Sequence, residues 1–223
     1  MRDYKLIRSE RKNAMLSIRD GGLEVRAPLN MPKSEIDKFV VSRENWIVDR
    51  LIKFNEQMIL RENFSLDYGS FVKYRGGSFP IEAIDGGDIG FNGKAFYMPP
   101  DLLPDQIKGN CIQIYRTLAK EYLPKRTSIY AKQMSVKPSI LKICNAKARW
   151  GSCNSNGDIT FVWRLMMADD EVIDYVVVHE LAHLVEMNHS EKYWDVVERV
   201  LPDYRERKAR LKELHNCLQF ENW

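Results

Sequence analysis

The chain has 223 residues, of which 44% are hydrophobic and 29% charged, and its formal net charge is +3. These values are ordinary for a water-soluble protein of one large or two small domains, and they argue against extended disorder. No apolar run reaches the roughly eighteen residues of a membrane span, and the first residues lack the apolar stretch of a secretory signal, so we expect a cytoplasmic protein without a membrane helix. The four cysteines are far apart with no C-x-x-C pair, which predicts free thiols.

The N-terminal segment predicts a hairpin followed by a helix. Residues 13–18 and 23–27 have β character and flank an Asp-Gly-Gly turn. Pro32 suits the first turn of a helix, and apolar residues at spacings of three, four and seven extend that helix to about residue 60.

A second β-rich stretch follows the predicted helix. Short β segments between residues 71 and 98 are separated by Gly-Gly and Asn-Gly turns, and Pro99-Pro100 ends the stretch. We therefore predict a β-rich N-terminal region with one long helix over residues 1–100, and a second domain over residues 101–223.

The sequence of the second domain predicts a mixture of helices and strands. Residues 103–133 have a helical pattern that Pro124 should kink or divide, and residues 140–144 and 159–165 resemble strands around a loop. Asp169 or Asp170 can cap a helix to about Met187. Ser190 can cap the next helix, which should end near Pro202, and a highly charged helix follows.

Positive charge is concentrated in one part of the chain. Residues 108–149 contain ten Lys or Arg and one acid, a net charge of +9, which leaves −6 for the remainder. Such a stretch could bind an anionic ligand, and the alternative is a solvated helix face.

The pattern His-Glu-x-x-His indicates a metal site. His179 and His183 are four residues apart, so on a helix their imidazoles project from one face and can reach one cation at roughly 2.0–2.1 Å. His189 follows six residues later, far enough for the chain to leave the helix and return. Three neutral imidazoles with an open fourth position are typical of a catalytic zinc site.

Glu180, beside the first of these histidines, is the predicted catalytic base. Zinc lowers the pKa of its bound water to about 7, and a neighbouring carboxylate can take the proton and return it to the leaving group. If His179 and His183 were instead ordinary core histidines, nothing would explain why three of the four histidines lie within eleven residues. The fourth, His215, is interpreted as a surface residue.

Several motifs together resemble the YgjP-like metallopeptidases, a zincin family. Those proteins share R-W-G-S-C, then a strand, then H-E-L-x-H-L, then N-H-S-x-x-[FY]-W. Here the first motif is complete at residues 149–153, the strand corresponds to 159–165, and the last two motifs are HELAHL at 179–184 and NHSEKYW at 188–194. The layout of the rest of the chain agrees, so the resemblance covers nearly all of it.

The resemblance implies a zincin fold with His179, His183 and His189 as zinc ligands. It leaves the substrate open, because members are called metallopeptidases mainly by motif, while some carry the label UTP pyrophosphatase. The histidine spacing also equals that of metzincins, H-E-x-x-H-x-x-G-x-x-H, but Glu186 stands where they have glycine. This difference, and the lack of an obvious later Met-turn, argue against a metzincin.

Other residues near these motifs are candidates for supporting roles. Arg149 could stabilise an oxyanion or bind a phosphate or carboxylate, unless it forms a structural ion pair. Tyr193 could donate a hydrogen bond to the transition state, unless it only packs. Residues 159–165 could border the cleft as an edge strand that receives an extended peptide, unless they form a fully paired interior strand. Glu186 or Asp174 could orient a ligand histidine.

The remaining motif residues are interpreted as packed side chains. They are Cys153, Trp150, Trp163 and Trp194.

The sequence therefore predicts an α+β protein with a β-rich N-terminal half and a zincin-like C-terminal half, whose small sheet packs on the H-E-x-x-H helix. The leading function is a zinc-dependent peptidase. The alternatives are a UTP pyrophosphatase that uses the same metal site, and a nucleic-acid-binding protein with a structural zinc.

Overall fold

The computed structural model describes residues 3–223, which have mixed α+β structure, as predicted. The chain forms two compact units, Met1–Phe64 with Gln219–Asn222, and Ser65–Leu218 with Trp223. Among the described residues, no helix has the length and apolar character needed to cross a membrane. The division into domains at residue 100 stays a prediction.

The first unit contains a three-stranded sheet and two helices. Strands β1 (Lys5–Ser9) and β2 (Met15–Arg19) flank β3 (Gly22–Pro28), and the β2–β3 pair is the predicted antiparallel hairpin. Instead of one long helix, α1 (Lys33–Ser42) and α2 (Glu44–Glu62) are separated at Arg43, which leaves helical geometry with φ −113° and ψ 15°.

The second unit begins with a four-stranded sheet in the predicted β-rich stretch. Its strands, in spatial order, are β4 (Phe71–Tyr74), β5 (Gly77–Ala83), β7 (Phe96–Met98) and β6 (Gly90–Phe91). Aromatic rings from this sheet pack edge to face and continue onto Tyr115 of the following helix. That helix, α3 (Pro104–Gln133), runs through Pro124 without the predicted division.

A second small sheet lies beside the motif region. Its order is β8 (Leu141–Cys144), β10 (Ile159–Val162) and β9 (Gly151–Cys153). The prediction of an edge strand over 159–165 is wrong, because β10 pairs with β8 on one side and β9 on the other. It also ends at Val162, where a turn of 3-10 helix begins.

Three helices complete the second unit. Asp169 caps α4 (Asp170–Ala182) by accepting a 3.0 Å hydrogen bond from the backbone N–H of Val172. The helix ends five residues before the predicted Met187. Ser190 caps α5 (Glu191–Val200), as predicted, and α6 (Tyr204–Leu218) follows.

Two acidic side chains anchor α4, and together with their partners they are called the acid clamps here. Arg126 of α3 donates two hydrogen bonds of 2.7 and 2.6 Å to Asp174, and Tyr130 adds one of 2.9 Å. One turn earlier, Asp170 accepts two hydrogen bonds from Arg75 and one from Tyr122. The hydrogen bonds from Arg75 keep the pKa of Asp170 below its usual value. The clamps fix α4 against α3 and the loop after β4.

We expect Asp174→Ala to lower the free energy of unfolding of the metal-free protein by about 3 kcal/mol, because the bidentate partner of Arg126 is lost at a buried position. Urea unfolding measures the effect. Asp105→Ala is the control, since its carboxylate is 94% exposed in its pair with Lys108 and should contribute less than about 1 kcal/mol. Equal losses in the two variants would contradict a special role for the clamp.

Candidate metal centre

The second half of α4 brings two histidines to one point. The helix is buried along most of its length, from Val172 to Ala182, and His179 and His183 project from successive turns. His189 returns from the segment between α4 and α5, and its Nε2 lies 3.2 Å from Nε2 of His179. The three imidazoles offer nitrogens that all lie within 4.8 Å of one another.

The spacing of these nitrogens fits a shared metal ion. Two ligands about 2.0–2.1 Å from a tetrahedral zinc are about 3.3 Å apart, close to the separation of His179 and His189. Burial lowers the pKa of His179 to about 3 and also lowers the pKa of His183, with the neighbouring imidazoles adding to both effects. These two rings are therefore neutral at pH 7, as metal ligation requires.

The expectation that a carboxylate orients a ligand histidine is not met for His179. Its Nδ1 is buried and has no hydrogen-bond partner among residues 3–223. Asp174, one candidate, is engaged by Arg126 and Tyr130. Glu186, the other, accepts a 3.5 Å contact from the backbone N–H of Asn188.

Glu180 is buried next to the histidines. The residue is 4% exposed, and this burial raises the pKa of its carboxyl to about 8, although the positive charge of Arg149 acts to lower it. A bound cation favours the ionised form of such a carboxyl.

Strand β9 lies directly against this carboxyl group. A Cβ atom at Gly151 would come within 2.5 Å of Glu180 Oε1 and 2.8 Å of its Cδ. The R-W-G-S-C motif was expected in a loop, but its last three residues form this strand. The glycine of the motif therefore leaves the space that the Glu180 carboxylate occupies.

An open cleft of about 660 Å³ gives access to His179 and Glu180. Residues 148–151 form one wall, α4 forms the floor, and α6 from Arg205 to His215 forms the other wall. Of the ten cationic residues in the 108–149 stretch, Arg149 alone lines the cleft, and its side chain is exposed.

The α6 wall was not predicted. Arg205, Lys208 and Lys212 all line the cleft, and their spacing of three and seven residues places them on one helix face. That spacing was a usable signal in the sequence. His215 was interpreted as a surface residue, but it is half-buried, lines the same cleft and meets the ring of Trp150 at 6.2 Å.

Tyr193 lies behind the histidines and is fully buried. Its hydroxyl donates a 2.9 Å hydrogen bond to the backbone carbonyl of His179, and its ring centroid lies within 5.4 Å of all three imidazole centroids. The next residue, Trp194, stacks on His189 with centroids 5.8 Å apart. The α5 side chains therefore support the imidazoles.

The other packed residues divide between core and cleft. Trp163 is fully buried, as expected, whereas Trp150 lines the cleft. Cys153 is half-buried on β9, and burial raises the pKa of its thiol. It lies outside the group of described side chains that could hold a metal.

The model of the family "YgjP-like, metallopeptidase domain" matches residues 12–214. This chain belongs to the YgjP-like metallopeptidase family. The match confirms the resemblance predicted from the motifs and extends over most of both compact units. The protein is therefore a metal-dependent hydrolase, and its histidine triad could hold the metal.

Two solved structures are similar to part of this YgjP-like protein. The metallopeptidase zymogen of Pyrococcus abyssi abylysin is 24% identical over 44% of this chain and 97% of its own, with a TM-score of 0.39. The metallopeptidase zymogen of Methanocaldococcus jannaschii jannalysin is 16% identical over 41% of this chain and 94% of its own, with a TM-score of 0.37. A comparison with curated proteins gave no significant match.

Proposed function

We propose that this protein is a zinc-dependent peptidase. His179, His183 and His189 hold the metal, and Glu180 acts as the general base. The observation that carries the proposal is the convergence of three imidazole nitrogens within 4.8 Å, beside a buried carboxylate that opens onto a cleft. Three imidazoles leave the ion a free position, and zinc suits such a site best.

Each side chain then has a defined task. A bound zinc supplies Lewis acidity toward the scissile carbonyl and lowers the pKa of a water molecule. The Glu180 carboxylate accepts a proton from the attacking water and delivers it to the leaving nitrogen, so that the peptide bond breaks into an amine and a carboxylic acid. Water thus adds one hydrogen to the amine and a hydroxyl group to the acid.

Arg149 and Tyr193 have different supporting tasks in this proposal. Arg149 is exposed at the cleft and close enough to act on the charge of Glu180, so its guanidinium can bind an oxyanion or a substrate carboxylate. The hydroxyl of Tyr193 is engaged by the His179 carbonyl. Tyr193 therefore positions the imidazoles instead of donating to the substrate.

Strand β9 replaces the predicted strand 159–165 as the edge that receives the substrate. Within the described residues, β9 pairs with β10 on one side only. Its Gly151 adjoins Glu180, so an extended peptide paired with the outer edge of β9 would pass the catalytic carboxylate.

We expect the zinc-loaded protein to cleave reduced, unfolded proteins, and expect chelation to reduce the rate at least tenfold because the triad loses its ion. Gel analysis and mass spectrometry of the products measure cleavage, and added zinc should restore it. Cleavage that persists in protein shown by elemental analysis to be metal-free would contradict the proposal.

The second candidate is a nucleotide hydrolase that releases pyrophosphate from UTP at the same site. The cationic side chains of the cleft favour it, since phosphate groups need positive charge. Pyrophosphate release by the zinc-loaded protein, absent from a zinc-loaded Glu180→Gln protein, would favour this candidate. The third, a nucleic-acid-binding protein with a structural zinc, is disfavoured because three ligands leave the ion open for chemistry.

A further inference from the structure

The face of α6 that lines the cleft carries positive charge and no negative charge. Arg205, Lys208 and Lys212 line the cleft, whereas the acidic residues of the helix, Glu206 and Glu213, do not. Arg149 adds a fourth cation from the opposite wall. Glu180 is the one carboxylate in the lining, and it is committed to catalysis in the proposed function.

Part of this positive charge has a partner inside the protein. Arg205 forms a 2.7 Å ion pair with Glu198, and the ammonium of Lys208 lies 4.4 Å above the ring of Trp194. The ring holds the Lys208 side chain in place without neutralising it. Among residues 3–223, neither Lys212 nor Arg149 forms an ion pair.

Apart from the polar rings of His179 and His215 and the hydroxyl of Tyr175, the rest of the cleft lining is apolar. Trp150, Val176 and Leu211 contribute to it between the cationic groups. Cationic side chains around low-dielectric walls focus a positive potential into the cleft. The matching ligand has an apolar body and a negative group.

We propose that this cleft binds the carboxylate of a peptide substrate, so that the enzyme selects peptides with Asp or Glu, or a free C-terminus, close to the scissile bond. The contacts are assigned to Lys208 and Lys212 of α6, assisted by Arg149. The inference deepens the proposed peptidase function and rests on it. Phosphate groups of a nucleotide would meet the same cations, but a peptide carboxylate is preferred here because the lining contains a single glycine, Gly151, and no glycine-rich phosphate loop.

Binding to an inactive protein tests this selectivity without requiring turnover. The zinc-loaded Glu180→Gln protein is titrated calorimetrically with four peptides of one sequence. Two of them carry Glu at one position and two carry Gln there, and in each pair one peptide has a free C-terminus and the other an amidated one. The peptide with Gln and an amidated C-terminus carries neither of the carboxylates under test and is called neutral. We expect the neutral peptide to bind about fivefold more weakly than the best charged one at low salt, and expect this ratio to shrink at high salt. The two singly charged peptides distinguish a side-chain carboxylate from the terminal one.

The side chains are tested by matched substitutions. In a Lys208→Gln/Lys212→Gln protein the preference should fall to within about twofold. A Lys120→Gln/Lys125→Gln protein has the same change of charge on exposed positions of α3 outside the cleft, and it should keep the preference. Zinc content is measured in both, so that a lost metal is not mistaken for lost selectivity.

Equal binding of charged and neutral peptides would overturn the proposal, as would an equal effect of the two double substitutions. If UTP binds more tightly than every peptide, and the Lys208→Gln/Lys212→Gln protein loses this binding, the ligand of the cleft is a nucleotide phosphate and not a peptide carboxylate. Wild-type cleavage of the same peptides is followed in parallel. If the protein binds the charged peptides selectively but cleaves none of them, the peptidase function is refuted. The proposal that the cleft binds a carboxylate is then still supported.

Discussion

Replacement of Glu180 by glutamine is expected to lower kcat for peptide hydrolysis by about a thousandfold while zinc remains bound, because an amide cannot accept the proton of the attacking water. Glutamine has nearly the same shape, so it fits the space beside Gly151, and the three histidines keep their positions. Initial rates on one fluorogenic peptide, together with zinc content by elemental analysis, measure the two parts of this expectation.

The matched control is Glu191→Gln in the first turn of α5. It makes the same chemical change at an exposed carboxylate near in sequence, and its rate should stay within about twofold of wild type. Retained hydrolysis in a zinc-replete Glu180→Gln protein would remove Glu180 from the role of base.

Gly151→Ala is expected to reduce kcat by about ten- to a hundredfold with little change in zinc content. Its Cβ would collide with the Glu180 carboxylate at 2.5 Å, so the carboxylate must move, and displacements of about 1 Å in an active site can cost a hundredfold in rate. Among the described residues, the glycines with positive φ do not include Gly151, so the backbone itself accepts alanine. Steady-state kinetics separate the effect on kcat from that on KM.

Two further proteins show whether Gly151 acts through Glu180. Gly109→Ala is the control, because its Cβ would meet no atom within 4 Å in α3, and it should leave kcat unchanged. In a Glu180→Gln background the proposed base is already absent, so Gly151→Ala should have a smaller effect on the residual rate there if it acts by displacing the Glu180 carboxylate. An undiminished effect in that background would assign the loss to β9 itself.

The parts of the site that follow from local geometry could be predicted from the sequence. Helical periodicity places His179 and His183 on one face whatever surrounds them, and the capping roles of Asp169 and Ser190 depend on the neighbouring backbone alone. His189 was predicted from its place six residues after His183 and was then supported by the family motifs, although no periodicity indicates its return to the centre.

Strand pairing and helix docking depend on distant residues and were not predicted. Whether residues 159–162 form an edge or an interior strand depends on residues 141–144 and 151–153, because each neighbour covers one side. The orientation of α6 is likewise set by packing. The charge of Arg205, Lys208 and Lys212 was visible in the sequence, but the surface that these side chains would face was not.

The acid clamps have a consequence for the order of assembly. Asp170 and Asp174 fix the rotation of α4 about its own axis through side chains of α3 and the loop after β4, and none of these contacts involves the histidines. Folding alone can therefore set the directions of His179 and His183. A metal ion that arrives after folding would therefore meet imidazoles that already point in the required directions.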